Sequence, residues 1–93
     1  HVEEVLSALS LYLVVGISFA LLVFLLDMMN PESYSEVMGW GESLYYSFIT
    51  MSTLGYGDIL PQTYWAMNLA IVQVLFGVFF TATVLALLVG KYS

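Results

Sequence analysis

Cysteine and arginine are both absent from this chain of 93 residues, and Lys91 is its single lysine. Without cysteine there can be no disulfide framework, no thiolate nucleophile and no thiolate ligand for a metal ion. Nucleic-acid binding is not expected either, because neutralising phosphates requires clustered lysine and arginine side chains. The single histidine, His1, is terminal and is not paired with a serine or cysteine, so the chain is not predicted to be an enzyme.

Charged residues in general are scarce, at 9% of the chain, whereas 61% of the residues are hydrophobic. A typical soluble domain is about 25% charged, and one this short cannot bury so much apolar surface in a single core. We therefore expect lipid to cover much of the chain. The length allows one domain, and residues 1–93 contain no internal repeat, low-complexity tract or linker to a second domain.

Two uncharged runs, 5–26 and 65–90, are long enough to cross a bilayer as helices. They contain 22 and 26 residues, or about 33 Å and about 39 Å of helix against about 30 Å of hydrocarbon. We predict an outer helix at 5–28 and an inner helix at 65–90, the second tilted because it exceeds the hydrocarbon thickness. The carboxylates of Glu3 and Glu4 precede the first run, where a signal peptide would be basic.

The segment between the two runs is too long for a simple hairpin. Asn30 and Pro31 mark a turn, and we predict an outer turret loop at 29–41. The apolar and hydroxyl-bearing stretch 43–52 would form only about 15 Å of helix, which cannot cross the bilayer. A helix at 42–52 is therefore predicted to dip into the membrane and return as a loop. The predicted fold is an all-α membrane protein with two spans and a re-entrant helix.

The loop after the short helix carries the most informative motif, since residues 50–58 read Thr-Met-Ser-Thr-Leu-Gly-Tyr-Gly-Asp. Backbone at membrane depth must line water or be buried in protein, so this Gly-x-Gly differs from an ordinary surface turn. The stretch resembles the potassium-channel signature T-x-x-T-x-G-Y-G-D, with Leu54 at its varied position. The resemblance covers residues 42–90 and implies a potassium-selective pore of the two-span kind, a homotetramer in which each chain has three identical partners.

The resemblance also implies a selectivity filter at 53–58, whose ion-binding residues would be Thr53, Leu54, Gly55, Tyr56 and Gly57. Potassium would bind the carbonyls of Thr53, Leu54, Gly55 and Tyr56, together with the Thr53 hydroxyl. Inward-pointing consecutive carbonyls require alternating left- and right-handed backbone, and glycine adopts the left-handed conformation without a Cβ clash. Potassium is the permeant ion here, and no cofactor is expected.

Residues that support the filter and form the gate follow from the same resemblance. The implied support residues are Tyr45, Tyr46, Thr50 and Asp58. Tyr45 could donate a hydrogen bond to Asp58, or Asp58 could simply be solvated at the mouth. Ile49 departs from a bacterial pattern that has a carboxylate at this position. Gly77 matches the family's gating hinge, although close helix packing also explains a glycine there. The implied cavity and inner-gate residues are Val78, Thr81, Leu85 and Val89.

The distribution of charge predicts the orientation and the partners. Five carboxylates lie on the side where the spans are joined: Asp27, Glu32, Glu36, Glu42 and Asp58. The single lysine lies at the opposite end, so the positive-inside rule places both termini in the cytoplasm and the filter mouth outside, in a plasma or inner membrane. The helix C-terminus near Ser52 would present unsatisfied carbonyls to a permeating cation.

Two alternative functions stay open: a less selective cation channel, and a non-conducting membrane assembly subunit. An intact Gly-Tyr-Gly argues against the first alternative, and a structural protein would not need such a loop. No arginine-rich voltage-sensing span is present in the sequence. We therefore expect the gating stimulus to act through elements outside this chain, such as a cytoplasmic regulatory domain.

Overall fold

Three helices make up the fold of the computed structural model, which describes the backbone of residues 2–92 and the side chains of residues 2–90. They are α1 (Val2–Met29), α2 (Trp40–Met51) and α3 (Tyr64–Tyr92). No strand occurs within the described backbone, which measures 48 Å along its long axis and 19 and 18 Å across. Two long apolar helices with a short helix between them confirm the predicted fold class for a single chain.

The two long helices are apolar over lengths that can cross a membrane, Val2–Met29 and Tyr64–Gly90. Most of their large apolar side chains are exposed, as expected for surfaces that face lipid or other protein chains. Both helices extend beyond the predicted ranges. Glu3 and Glu4 lie in the first turn of α1, where carboxylates complement the positive end of the helix dipole.

The start of α3 at Tyr64 has a local cause in the preceding residue. The Ala66 backbone N–H donates a hydrogen bond of 3.3 Å to Thr63 Oγ1, and the Met67 N–H donates to the Thr63 carbonyl at 2.9 Å. Thr63 therefore caps the helix and satisfies N–H groups that would otherwise lack a partner. The other end of α3 continues past the predicted limit at residue 90 to Tyr92.

The short helix α2 begins two residues before the predicted position, because Gly39 is its N-cap with extended backbone (φ −66°, ψ 178°). The Glu42 carboxylate lies beside Gly39 in this first turn, where it complements the helix dipole. The Trp40 ring packs edge-on against Phe24 of α1, with 6.0 Å between ring centroids. That contact extends the helix beyond what local sequence indicated.

The turret loop is hydrogen-bonded to the extended segment that precedes α3. Tyr34 and Pro61 form an isolated antiparallel bridge, beside a hydrogen bond of 2.9 Å from the Ser35 N–H to the Leu60 carbonyl. The Leu60 N–H in turn donates to Ser35 Oγ at 2.8 Å. These contacts hold the end of the loop between α2 and α3 against the turret.

A small apolar core lies under the turret, formed by Val23, Tyr34, Met38, Tyr46 and Ala66. The rings of Tyr34 and Tyr46 meet edge-on at 5.1 Å. Asp27 is buried beside this core, and its Oδ2 accepts a hydrogen bond of 3.3 Å from the Met38 N–H. The sequence placed Asp27 among the five carboxylates on the side where the spans are joined, and its burial there was not foreseen. Its hydrogen bond holds the turret against the end of α1.

Candidate functional site

The loop after α2 has an alternating backbone. Thr53, Gly55 and Gly57 all have positive φ, of 64°, 54° and 81°, and they are the only described residues that do. The left-handed conformation expected at the two glycines is confirmed, whereas that of Thr53 was not foreseen because non-glycine residues seldom adopt it. Left-handed residues therefore alternate with Leu54 and Tyr56, a pattern that turns successive carbonyls toward one side.

The inner end of this loop is bonded to the end of α2. The Ser52 N–H donates to the Phe48 carbonyl at 3.0 Å, and the Gly55 N–H donates to the Ile49 carbonyl at 3.1 Å. The Thr50 carbonyl accepts from the Thr53 N–H, also at 3.1 Å. The Phe48 carbonyl thus keeps an ordinary helical bond, and the loop supplies donors for the Ile49 and Thr50 carbonyls near the end of the helix.

The outer end of the loop is held by a side-chain hydrogen bond. The Tyr45 hydroxyl donates to Asp58 Oδ2 at 2.7 Å, and the Ile59 N–H donates to Asp58 Oδ1 at 3.1 Å. The sequence left open whether Asp58 accepts a hydrogen bond from Tyr45 or is only solvated. In the structure it accepts the hydrogen bond. This hydrogen bond raises the pKa of Tyr45 to about 12, because the carboxylate accepts from the protonated phenol.

The second tyrosine of the pair does not face the loop. Tyr46 is buried against Tyr34 in the core below the turret, one position further around the helix than Tyr45. Tyr56 and Leu54, by contrast, are exposed over 67% and 54% of their surface. Large apolar side chains this exposed at the centre of a loop are free to contact other protein chains.

A recess of about 290 Å³ lies directly beneath the loop. Its lining residues are Met51, Ser52, Thr53, Gly77, Val78, Thr81 and Ala82. The structure thus brings Val78 and Thr81 together with Thr53. Leu85 and Val89 lie further along α3, outside this recess, and are exposed.

Gly77 is in close contact with α2. A Cβ at this position would collide with the Met51 carbonyl oxygen and lie 2.8 Å from its carbonyl carbon. The packing explanation for this glycine therefore holds, since backbone atoms cannot move aside as a side chain could. Whether Gly77 also acts as a hinge stays a prediction, because α3 is one continuous helix.

Sequence reasoning missed Gly16, which is the matching contact on α1. A Cβ there would collide with the Phe48 ring and lie 3.0 Å from Met51 Cε. The Gly16 carbonyl also accepts a 2.6 Å hydrogen bond from Ser47 Oγ. An isolated glycine inside an apolar span signals close helix packing, and that signal was present at Gly16.

Carboxylates line a second recess, of about 470 Å³, on the outer side of the loop. Its polar lining residues include Glu36, Glu42, Tyr45 and Asp58. A concentration of negative charge at this end raises the local concentration of cations, more strongly at low ionic strength.

Two apolar spans, a re-entrant helix and a loop of alternating handedness together define the pore module of a membrane channel. The chain matches the ion-channel family over residues 7–93 and belongs to that family. Membership points to transport rather than catalysis, and together with the two apolar helices it makes the chain an integral membrane protein.

Three relatives indicate the kind of channel to which the chain is similar. It is 36% identical to Two-pore potassium channel 5 of Arabidopsis thaliana over 82% of this chain and 17% of that protein. It is 35% identical to human potassium channel subfamily K member 17, over 76% of this chain and 24% of the relative. A human voltage-gated potassium channel regulatory subunit is 39% identical over 62% of this chain and 12% of its own length. The chain therefore spans a quarter or less of each of these relatives.

Proposed function

We propose that this chain is the pore subunit of a potassium-selective channel that conducts K⁺ passively through rings of backbone carbonyls. The observation that carries the proposal is the alternation of positive φ at Thr53, Gly55 and Gly57. Such a backbone presents a row of oxygens that can replace the hydration shell of a cation. The similarity to potassium channels supports K⁺ as the ion, bound at Thr53, Leu54, Gly55 and Tyr56, with Gly57 completing the loop.

The channel is a homotetramer in this proposal. One chain supplies one oxygen to each layer of ligands, so a complete ring requires several chains around an axis. The exposure of Leu54 and Tyr56 in the single chain supports this assembly, because neighbouring copies would cover these side chains.

The recess below the filter becomes the ion cavity once four copies surround the axis. Val78 and Thr81 would line it, since they share it with Thr53. Leu85 and Val89, further toward the cytoplasmic end of α3, would form the inner gate. Both termini lie in the cytoplasm in this arrangement.

Reconstitution into liposomes with a potassium gradient tests the proposal directly. We expect reversal potentials close to the potassium equilibrium potential when sodium is the competing ion. Equal permeability to both ions would favour the less selective channel. No flux from a confirmed tetramer would favour a non-conducting membrane assembly subunit.

The substitution Gly57→Ala tests the backbone argument. A left-handed residue with a Cβ costs roughly 1–2 kcal/mol, so the alternation should fail at φ 81° and selective conduction should be lost while assembly persists. Gly41→Ala is the matched control, because Gly41 has open space around it and lies in the first turn of α2. If Gly57→Ala conducts K⁺ as selectively as Gly41→Ala, the role assigned to Gly57 is wrong.

A further inference from the structure

A buried polar junction in the membrane-spanning part of the chain brings together one residue from each of the three helices. Ser47 Oγ donates to the Gly16 carbonyl at 2.6 Å. Gln73 Nε2 lies 3.2 Å from Ser47 Oγ and 3.5 Å from the Ser47 carbonyl oxygen. Ser47 and Gln73 are both completely buried, so this junction joins α1, α2 and α3 out of contact with water and lipid.

The same helix faces meet again one turn further along. Gly77 follows Gln73 by four residues on α3, and Met51 follows Ser47 by four residues on α2. Gly77 packs directly against the Met51 carbonyl. The two helices therefore run side by side in register, with a hydrogen bond at one level and a backbone contact at the next.

Burying the Gln73 amide at this position costs free energy that packing alone does not explain. Gln73 lies in an otherwise apolar span, and its Oε1 is buried without a hydrogen-bond partner among the described residues. An apolar side chain of the same length would fill the space without leaving an unpaired carbonyl oxygen. What the amide adds is a directional contact that fixes the register of α3 against α2.

We propose that Gln73 is a positioning residue for the selectivity filter and acts through Ser47. This inference rests on the proposed function, which it extends to a residue that touches neither the ion nor the filter. The amide of Gln73 sets the position of α2, and α2 sets the position of the filter.

Both ends of the filter are hydrogen-bonded to α2. The junction between Gln73 and Ser47 can therefore affect the position of the whole filter through α2. The inner end is held by the hydrogen bond from the Gly55 N–H to the Ile49 carbonyl at 3.1 Å. The outer end is held by the Tyr45–Asp58 hydrogen bond of 2.7 Å. A shift of α2 therefore moves both attachments together, and a movement of α3 reaches them through the contact between Gln73 and Ser47.

Gln73→Met and Ser47→Ala test the inference in single-channel recordings of the reconstituted protein. Methionine keeps the length of glutamine and removes the hydrogen bond. We expect the ratio of conducting to silent time to fall roughly threefold in either variant, the size typical of one interhelical hydrogen bond in a membrane. The double variant should lose less than the sum of the two single losses, because both substitutions remove the contact between Gln73 Nε2 and Ser47 Oγ. Asn68→Leu, an exposed amide earlier on α3, is the matched control and should behave as wild type.

Thermal stability of the assembled channel separates positioning from a merely structural role. If Gln73 has a positioning role, Gln73→Met and Ser47→Ala should have a shorter conducting time than Asn68→Leu. Their melting temperatures should nevertheless be close to that of Asn68→Leu. The inference is overturned if Gln73→Met conducts like wild type, or if the two single effects simply add. If Gln73→Met does not assemble, the inference is tested with Ser47→Ala alone. Its conducting time and its melting temperature are then compared with those of Asn68→Leu. Absence of potassium flux from the wild-type protein would instead overturn the proposed function.

Discussion

At the scale of single residues, the filter segment is fixed by backbone conformation at one end and by a side chain at the other. Thr53, Gly55 and Gly57 set the direction of the carbonyls through their positive φ. Tyr45 holds Asp58 at the outer end with a 2.7 Å hydrogen bond. Hydrogen bonds to an ionised acceptor are short and roughly twice as strong as neutral ones. This contact attaches the outer end of the loop to α2 through a side chain.

Replacing Tyr45 by phenylalanine removes this attachment without changing the ring. We expect Tyr45→Phe to shorten the conducting periods of the channel, because the outer end of the filter is released. Tyr64→Phe is the control, since Tyr64 is 84% exposed and lies outside the loop. Single-channel recordings of the two variants check the prediction, and equal behaviour would contradict it.

The same bond predicts a dependence on alkaline pH. The pKa of Tyr45 is raised from 10.0 to about 12 by its hydrogen bond to Asp58. Because the folded value exceeds the unfolded one, the contribution of the bond is fully present below about pH 10 and is lost as the pH rises through about 12. The difference between wild type and Tyr45→Phe should therefore persist from neutral pH to about pH 10 and shrink above it.

Residues of the filter could be predicted from sequence where the reason was local. Glycine at positions 55 and 57 indicated positive φ because only glycine adopts it without strain. Thr53 gave no such signal, since a threonine seldom adopts the left-handed conformation that it has here. The burial of Asp27 was also unpredictable, because it depends on where the turret folds.

At the scale of helices, α2 is held between the two spans by close backbone approach. Gly16 of α1 and Gly77 of α3 contact the same residue, Met51, from two directions. Small residues permit such approach and allow dispersion contacts to stabilise helix packing where lipid removes the hydrophobic driving force. The short helix thus keeps its position although it is too short to cross the membrane.

Gly77→Ala should disrupt this arrangement. The added methyl group would collide with the Met51 carbonyl, and overpacking of this kind typically costs about 1–3 kcal/mol. Gly90→Ala is the matched control on the same helix, because nothing lies within 4 Å of the added Cβ. We expect thermal unfolding in detergent to begin at a lower temperature for Gly77→Ala only. A similar melting temperature for both variants would contradict the packing role.

The helices themselves were predictable from hydrophobic length, whereas their ends were not. The runs free of charge located both spans, since crossing the hydrocarbon requires about 20 apolar residues. The start of α2 follows the Gly39 N-cap and includes Trp40, which packs against Phe24 of α1. A contact between residues this distant in sequence leaves no local pattern, and helix ends are the part of a helix that is hardest to predict.

At the scale of the whole molecule, the single chain has two kinds of exposed apolar surface, one along the spans and one in the loop after α2. The spans expose apolar side chains along most of their length, which suits lipid. The exposed Tyr56 lies in the loop instead, where lipid cannot reach it if the loop surrounds an aqueous pore. The tetramer proposed above would remove this conflict, because neighbouring copies would cover the loop.

The orientation of the molecule can be tested because the chain has no cysteine of its own. Val37 in the turret is 86% exposed and Val2 at the start of α1 is 67% exposed, so each can carry a single introduced thiol. We expect a membrane-impermeant maleimide to label Val37→Cys in intact cells. Val2→Cys should react only after the membrane is permeabilised, because the positive-inside rule places it in the cytoplasm.

The two labelling results have to be interpreted together. A re-entrant helix between two spans requires the turret and the N-terminal end of α1 to lie on opposite sides of the membrane. Labelling of Val2→Cys but not Val37→Cys in intact cells would invert the channel and place the filter mouth in the cytoplasm. Labelling of both from outside would mean that α1 does not cross the membrane, although its 28 residues are long enough to do so. Only the predicted pattern exposes the acidic recess beside Asp58 to the extracellular solution.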